Sequence, residues 1–341
     1  MQKKTRDYSG DFLRILLIIM IIVHHALVHG LGLSELKSGI NIIELPPYYF
    51  LLNSFCVMAV NAFFFVSGFY GINRNFKKIL KLYAMCVWYA FIWNLVTLIT
   101  GNEFSLYNVI NVVFPIRDYW FMAVYFIIAL LAPYIQIMYK HLKNKQRIFV
   151  ILVLTGVNII YGFVLNFVGV GDGYTLFQGF NLYIIGLFCS YNTEYFVKKR
   201  KLFGLLVISC AFLEFAITYF TYQKGMLIRA WHLFAYNNPI VIIMAVSFCV
   251  LFFNRGWKEN RITAIITKIS TCSLAAYLMT DNMYAKKIVF NPLIKFLYWN
   301  KSSIISVFEI LVYSVILVII CVIIEIVRDT FIKFVYGGMK R

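Results

Sequence analysis

The chain has 341 residues, of which 62% are hydrophobic and 13% are charged. An ordinary soluble domain is nearer half apolar and a quarter charged, so this composition excludes one. The net charge of +18 is high enough for a nucleic-acid partner. However, the lysines and arginines form short clusters between apolar runs and no basic stripe on a soluble domain, so nucleic acid is not an expected partner.

Repeated apolar runs of about 20 residues predict an all-α, polytopic transmembrane bundle. With the N-terminus placed in the cytoplasm, 24 of the 32 basic residues fall on the cytoplasmic side, the bias expected for inner loops. Four of the eight outer ones fall in the last external loop. We expect both termini to be cytoplasmic, residues 1–341 to form a single membrane domain with no appended soluble domain, and the first run to be retained. The ten predicted spans lie at about residues 11–30, 48–70, 79–100, 119–139, 147–168, 175–191, 202–221, 233–253, 262–283 and 302–326.

The first span reads DFLRILLIIMIIVHHALVHG and carries ionisable groups, which are costly inside a membrane and mark functional sites. Eleven residues separate Arg14 from His25, a turn of about 1100°, or nearly three full turns. His25 therefore shares the Arg14 face, roughly 16 Å deeper, while His24 points about 80° away. Asp11 falls near the same stripe. A neutral imidazole at this depth can act as a general base or accept an acyl group.

His25 and His29 are four residues apart, which is also a metal-ligand spacing. No glutamate follows His25 as it does in zinc proteases, and no third ligand is evident nearby in the sequence. We therefore predict no metal at this position.

Two other regions carry polar groups. The turn after the second span contains Arg74, Lys77 and Lys78 and suits either lipid head groups, which composition favours, or an anionic ligand. Before it, the Ser-Gly pair of FFFVSGFYG indicates close helix packing through small residues. Glu214 lies inside the seventh span and is expected to face the bundle interior, in a structural or functional role.

The outer loop before the fourth span reads FPIRDYWFMAVYF and brings Arg117, Asp118 and Trp120 to a predicted water interface. Tryptophan belongs to interfacial belts in any case, so the neighbouring Arg-Asp pair is the more informative feature. Asp281 lies near the outer end of the ninth span.

These segments resemble the acyltransferase-3 family of bacterial membrane O-acyltransferases, which have ten spans. DFLRILLIIMIIVHHA is similar to the family's opening helix, in which an acidic residue, an arginine three later and a histidine eleven after that recur. FFFVSGFYG resembles the FF-aliphatic-SG stretch, and Trp120, Phe121 and Pro133 match a WF…Y…P helix. SLAAYLMTDN resembles the late helix, although this chain has Met279-Thr280-Asp281-Asn282 after YL, where the family often has a histidine. The likeness runs from residue 8 to about 290.

The resemblance implies a multi-pass O-acyltransferase of the bacterial cell membrane, surrounded by membrane lipids. A short acyl group, acetyl by expectation, would pass from cytoplasmic acyl-CoA to a hydroxyl of a cell-surface or lipid-linked glycan. The expected catalytic residues are Asp11, Arg14 and His25. The expected donor-binding residues are Arg14, Arg74, Lys77 and Lys78, because arginine and lysine suit phosphates. The expected acceptor-binding residues are Arg117, Asp118, Trp120 and Asp281.

A lipid-linked glycan flippase or similar transporter is the alternative from another class, since it would also be polytopic and basic inside. Such proteins often show inverted repeats or paired broken helices. Neither pattern is visible in this sequence, so the acyltransferase interpretation is preferred.

Overall fold

The computed structural model describes residues 6–39, 44–72, 75–100, 106–167, 169, 171–298 and 304–338. All regular structure in these ranges is helical. Ten apolar helices coincide with the ten predicted spans; eight are long enough to cross a membrane, and two are shorter. The prediction of a polytopic helical bundle is confirmed, while the side on which each terminus lies and the single-domain boundary stay predictions. The helices are α1 (Tyr8–Gly30), α2 (Pro47–Tyr70), α3 (Phe76–Ile99), α4 (Trp120–His141), α5 (Asn144–Val164), the shorter α6 (Leu176–Tyr191), α7 (Arg200–Gln223), the shorter α8 (Pro239–Val250), α9 (Arg261–Thr280) and α10 (Ile305–Gly338).

Several of these helices change geometry along their length. The last part of α1, Ala26–Gly30, and the last part of α5, Asn158–Val164, are π-helical. Both α2 and α9 contain a short break. Short helices connect the spans at Leu33–Ser38, Leu106–Val113, Pro115–Arg117, Gly171–Gly173, Thr193–Lys198, Leu227–Leu233, Met283–Ala285, Lys286–Phe290 and Asn291–Tyr298.

The first two helices are the most buried of the eight long ones. In their most apolar stretches, 61% of α1 and 72% of α2 is buried, against 11% of α5. Peripheral helices expose large aliphatic and aromatic side chains, as expected of surfaces that face lipid. Asp11, His24 and His25 of α1 are buried in protein and do not face hydrocarbon, where they would be costly.

The second half of α2 packs very closely against α6. A β-carbon built on Gly68 would lie 1.9 Å from the backbone oxygen of Tyr183, and one built on Gly186 would lie 2.1 Å from that of Phe65. The two backbones thus touch where both helices carry glycine. This confirms the close packing through small residues that the sequence predicted for the Ser-Gly pair.

The end of α9 is held against the start of α4. The Asp281 N–H donates to the Tyr277 carbonyl (2.8 Å) and closes the helix. The next residue, Asn282, donates to the Tyr119 hydroxyl (3.2 Å), which itself donates to the Leu278 carbonyl (2.8 Å). Non-helical backbone at this depth is tolerated only where it is buried in protein or lines a cavity. The contacts at the end of α9 thus hold Asp281 at a defined position inside the bundle.

Candidate active site

His25 is buried where the α-helical part of α1 ends. Its Nε2 lies 3.9 Å from Oδ1 of Asp281, too far for a direct hydrogen bond but within the range of an ion pair when the ring is protonated. Its Nδ1 has no hydrogen-bond partner among the described residues. A carboxylate beside one ring nitrogen and no partner on the other is the arrangement that a general base requires.

His24 has a different environment, as its position on the helix predicts. Its Nδ1 lies 2.7 Å from Oδ1 of Asn53 on α2, and both residues are buried. This hydrogen bond gives His24 Nδ1 and Asn53 Oδ1 a partner inside the bundle and joins α1 to α2. His24 is therefore occupied in packing, while the neighbouring imidazole keeps an unpartnered nitrogen.

His25 faces a small internal cavity of about 30 Å³, which has room for about two water-sized groups. Its walls are aliphatic and aromatic, and they come from helices that are far apart in the sequence. Among the wall residues are Ile18, Ile21, Phe63, Trp120, Tyr236 and Leu274.

The face of α1 between the two predicted functional residues is apolar. Ile18 and Ile21 occupy this face, and both line the cavity. No polar side chain of α1 therefore links Arg14 to His25, and the face between them forms one wall of the cavity.

Asp281 also forms an ion pair with Lys286. The ammonium of Lys286 donates to its Oδ1 at 2.9 Å. The ring of His29 lies 5.5 Å from that of His25, and one ligand atom from each of His25, His29 and Asp281 falls within 4.8 Å of the others. The fold thus supplies a third potential ligand that the local sequence lacks, although Lys286 already occupies Oδ1 of this carboxylate. The absence of a metal stays a prediction.

Trp120 forms part of an aromatic wall on this cavity. Its ring stacks on that of Tyr236 with centroids 5.7 Å apart and planes 21° from parallel, and Tyr174 lies 4.8 Å from it on another side. Flat aromatic faces of this kind suit the stacking of a sugar ring. Trp120 is the residue of the predicted outer cluster that reaches the cavity.

Tyr236 was not predicted from the sequence. Its carbonyl accepts hydrogen bonds from Asn61 (2.7 Å) and Gln178 (2.6 Å), and its N–H donates to the Asp172 carbonyl (2.9 Å). Both amide side chains are buried in apolar helices. Buried amides of this kind are the sequence signal that marks the segment, but their partner is visible only in the fold.

At the other end of α1, Asp11 binds four neighbours. Its carboxylate accepts from Arg6 (2.7 Å), Arg14 (3.0 Å), Thr267 (2.9 Å) and Ser270 (3.4 Å), the last two on α9. A buried carboxylate needs such partners. Asp11 therefore ties α1 to α9, about 21 Å along the helix from the catalytic candidate His25. Two arginines share this carboxylate.

Arg14 keeps donors available to a ligand. Its guanidinium lies 5.1 Å from the ring centroid of Tyr70, and about a third of its side chain (32%) is exposed. Lys77 and Lys78 are exposed at the start of α3, which follows Tyr70 after a short turn. Arg74, also predicted to bind the donor, lies outside the described residues. The described basic residues of the predicted donor site thus lie at one end of the bundle.

The structure separates the predicted acceptor residues into two groups. Arg117 is exposed, and Asp118 accepts a hydrogen bond from Asn111 (2.9 Å); neither lines the cavity. Asp281 lies beside His25, and Trp120 lines the same cavity.

Sequence comparison decides the family. A family model described as an acyltransferase domain, that of acyltransferase-3, matches residues 7–326. The chain belongs to the acyltransferase-3 family. No curated protein and no solved structure matches it. The match covers nearly the whole chain, and with the ten apolar helices it establishes a multi-pass membrane acyltransferase.

In this acyltransferase, Glu214 lies away from the cavity. One carboxylate oxygen accepts from Asn238 (3.1 Å) and the other from Thr218 (3.4 Å). Asn238 also caps α8 by accepting from the Ile240 N–H (2.9 Å). These contacts join α7 to α8, so they support the structural alternative for Glu214.

Outside the spans of this acyltransferase, His232 and Asp172 form a partly buried pair. His232 Nδ1 lies 2.9 Å from the Asp172 carboxylate, and Nε2 lies 2.7 Å from the Phe163 carbonyl. The hydrogen bond to Asp172 raises the pKa of His232 above its ordinary value, and the Phe163 carbonyl at the other ring nitrogen adds to this rise. The Asp172 carbonyl also holds Tyr236, so this pair supports the aromatic wall of the cavity.

The pH dependence of stability tests this pair. A raised pKa in the folded state gives stabilisation that is complete below about pH 6.5, the unfolded value, and is lost as the pH rises through the folded pKa. We expect the thermal unfolding midpoint in detergent to fall over that range, and His232→Asn to flatten the fall. His141→Asn, at an exposed position on α4, serves as the control. An unchanged slope in His232→Asn would contradict the assignment.

Proposed function

We propose that this acyltransferase moves an acetyl group from cytoplasmic acetyl-CoA to a hydroxyl of a cell-surface or lipid-linked glycan, in a bacterial cell membrane. The observation that supports it is the position of His25 on a small cavity, with an unpartnered Nδ1 and with Asp281 near the other ring nitrogen. General-base catalysis of acyl transfer needs this combination of a free basic nitrogen and a group that stabilises the protonated ring.

The donor would bind from the end of the bundle that carries Arg14. The phosphates of CoA would contact Arg14 with Lys77 and Lys78, and with Arg74 of the same turn. The partly exposed guanidinium of Arg14 (32% of the side chain) supports this placement, because arginine binds phosphate through two hydrogen bonds. The extended pantetheine arm would then follow the apolar face of α1, and the distance of roughly 16 Å to His25 suits its reach.

The reaction at His25 is a direct acyl transfer. The acceptor hydroxyl oxygen attacks the thioester carbonyl carbon while its proton passes to Nδ1 of His25. The carbon–sulfur bond then breaks, and the departing thiolate takes that proton back from the imidazolium. Asp281, near Nε2, stabilises the imidazolium in between, and its own pairing with Lys286 keeps it in place.

The acceptor would approach along the aromatic wall. The stacked pair of Trp120 and Tyr236 provides an aromatic surface for a sugar ring at the edge of the cavity, beside the acyl group. Arg117 and Asp118 precede Trp120 on the surface, where they suit contacts to more distant parts of a glycan.

Transfer of label provides the test. Purified protein in proteoliposomes is supplied with acetyl-CoA labelled in the acetyl group and with a lipid-linked glycan acceptor. We expect the label to appear on the glycan as an ester, with release of one CoA thiol for each ester formed. A lipid-linked glycan that changes leaflet while the label stays on CoA would overturn the proposal in favour of a flippase.

Arg14→Lys probes the donor site. The substitution keeps a positive charge beside Asp11 but removes the planar fork that binds phosphate through two hydrogen bonds. We expect the KM for acetyl-CoA to rise about tenfold, the loss of one charge-assisted hydrogen bond, with a smaller change in kcat.

Arg147→Lys is the matched control, because Arg147 also lies over a tyrosine ring, 4.0 Å from the centroid of Tyr191. Its KM should stay within about twofold of the wild-type value, since a surface substitution away from the site has little effect. An equal KM in the wild type and in Arg14→Lys would remove Arg14 from the donor site.

A further inference from the structure

The cavity beside His25 differs from an open substrate cleft in both size and charge. It holds about 30 Å³, and its polar lining is small compared with its aliphatic and aromatic lining. Among the residues that the structure describes, neither a lysine nor an arginine lines it. Lys286, the nearest cation described above, is already bound to Asp281.

The small size and uncharged lining of the cavity restrict the charge of the acyl group that can enter it. A negatively charged acyl group, such as succinyl, would bring a second carboxylate into a space without a cationic partner. Burying an ionised carboxylate without a partner is strongly unfavourable. The acyl group that enters must therefore be uncharged.

The small size of the cavity also restricts the length of the acyl group. Room for about two water-sized groups matches the carbonyl and methyl groups of an acetyl. Each further methylene has to displace packed side chains, and one methylene too many in an apolar pocket lowers transfer by about tenfold or more. A four-carbon acyl group exceeds the cavity by two methylenes.

Two wall residues are placed to set this limit. Ile21 lies one helical turn before His25 on α1 and is buried, and Leu274 begins the last segment of α9. Both line the cavity, and they come from different helices. Removing either side chain would enlarge the space next to the imidazole, because packed surroundings close such a gap only in part.

We infer that this cavity is the acyl pocket, and that Ile21 and Leu274 restrict the donor to short, uncharged acyl-CoA. The inference rests on the proposed function, since it concerns the acyl group that His25 would help to transfer. It adds the donor specificity and the residues that determine it.

Competition between donors tests the inference. Purified protein in proteoliposomes receives the glycan acceptor with equal concentrations of acetyl-, butyryl- and succinyl-CoA, and mass spectrometry quantifies each ester. For the wild type we expect acetyl ester to exceed butyryl ester by about a hundredfold, two methylenes at about tenfold each, and succinyl ester to be absent. Ile21→Ala and Leu274→Ala should each raise the butyryl-to-acetyl ratio at least about tenfold, still without succinyl transfer.

Ile22→Ala is the matched control, because Ile22 is fully buried on the same helix and does not line the cavity. Its ratio should equal that of the wild type, whatever its stability. Ile21→Val, a milder deletion, should give an intermediate ratio if Ile21→Ala does not fold. The inference is overturned if the wild type uses the three donors equally, or if both pocket variants transfer acetyl at the wild-type ratio. A wild type that transfers from none of the donors overturns the proposed function itself.

Discussion

Replacing His25 by glutamine is expected to lower acetyl transfer by about 10²–10⁴-fold, the range that a general base contributes. Glutamine has nearly the same reach as histidine but cannot accept a proton from the acceptor hydroxyl. The loss should appear in kcat, with the KM for acetyl-CoA nearly unchanged, because the donor phosphates would bind about 16 Å away. Rates of acetyl ester formation with purified protein in proteoliposomes measure this.

The neighbouring histidine supplies the matched control. In His24→Gln the new amide can still hydrogen-bond to Asn53, which His24 contacts at 2.7 Å. This variant should keep transfer within about tenfold of the wild type, since a hydrogen bond is replaced and not removed. Equal losses in the two variants, or full activity in His25→Gln, would show that His25 has no special chemical role.

Asp281 should matter less than His25, because it acts on the imidazole and not on the substrate. Asp281→Asn removes the negative charge near Nε2 and leaves Lys286 unpaired, so the protonated ring loses its stabilisation. We therefore expect kcat to fall less in Asp281→Asn than in His25→Gln, because Asp281 acts through the imidazole.

How far the sequence anticipated this site depends on where each residue lies. Hydropathy located all ten helices because the bilayer demands long apolar runs. Helical periodicity distinguished His25 from His24, since both lie on one regular helix whose faces follow from spacing alone. These features are local, and a local pattern suffices to predict them.

The partners of His25 depend on tertiary structure and were missed. The proximity of Asp281 to His25 could not be predicted, because a position near the outer end of a span says nothing about which helix the side chain faces. The ion pair between Lys286 and Asp281 likewise depends on the fold, because hydropathy and charge patterns do not pair individual side chains. His29 lies in the π-helical continuation of α1, where the turn per residue changes and a periodicity of 3.6 no longer gives the orientation.

Gly68→Ala is expected to destabilise the folded protein more than the same substitution at any other described glycine. The new β-carbon would lie 1.9 Å from the Tyr183 carbonyl oxygen. That oxygen belongs to the backbone of α6 and cannot rotate away, so the two helices must separate. We expect a loss of about 3 kcal/mol or more, and a fall of about 5 °C or more in the thermal unfolding midpoint in detergent.

Gly156→Ala is the control for this substitution. It lies in a helical part of α5 with nothing within 4 Å of the added β-carbon, so the same change should be neutral or stabilise by up to about 1 kcal/mol. If both variants unfold at the wild-type temperature, the backbones of α2 and α6 do not touch as the structure describes.

The double variant tests whether the two glycines form one contact. Gly186→Ala alone should also destabilise, because its β-carbon would lie 2.1 Å from the Phe65 carbonyl oxygen and 3.1 Å from the α-carbon of Gly68. Once the first alanine has forced α2 and α6 apart, the second finds space already opened. The combined loss should therefore be clearly smaller than the sum of the single losses, whereas additive losses would mean that the two positions are independent.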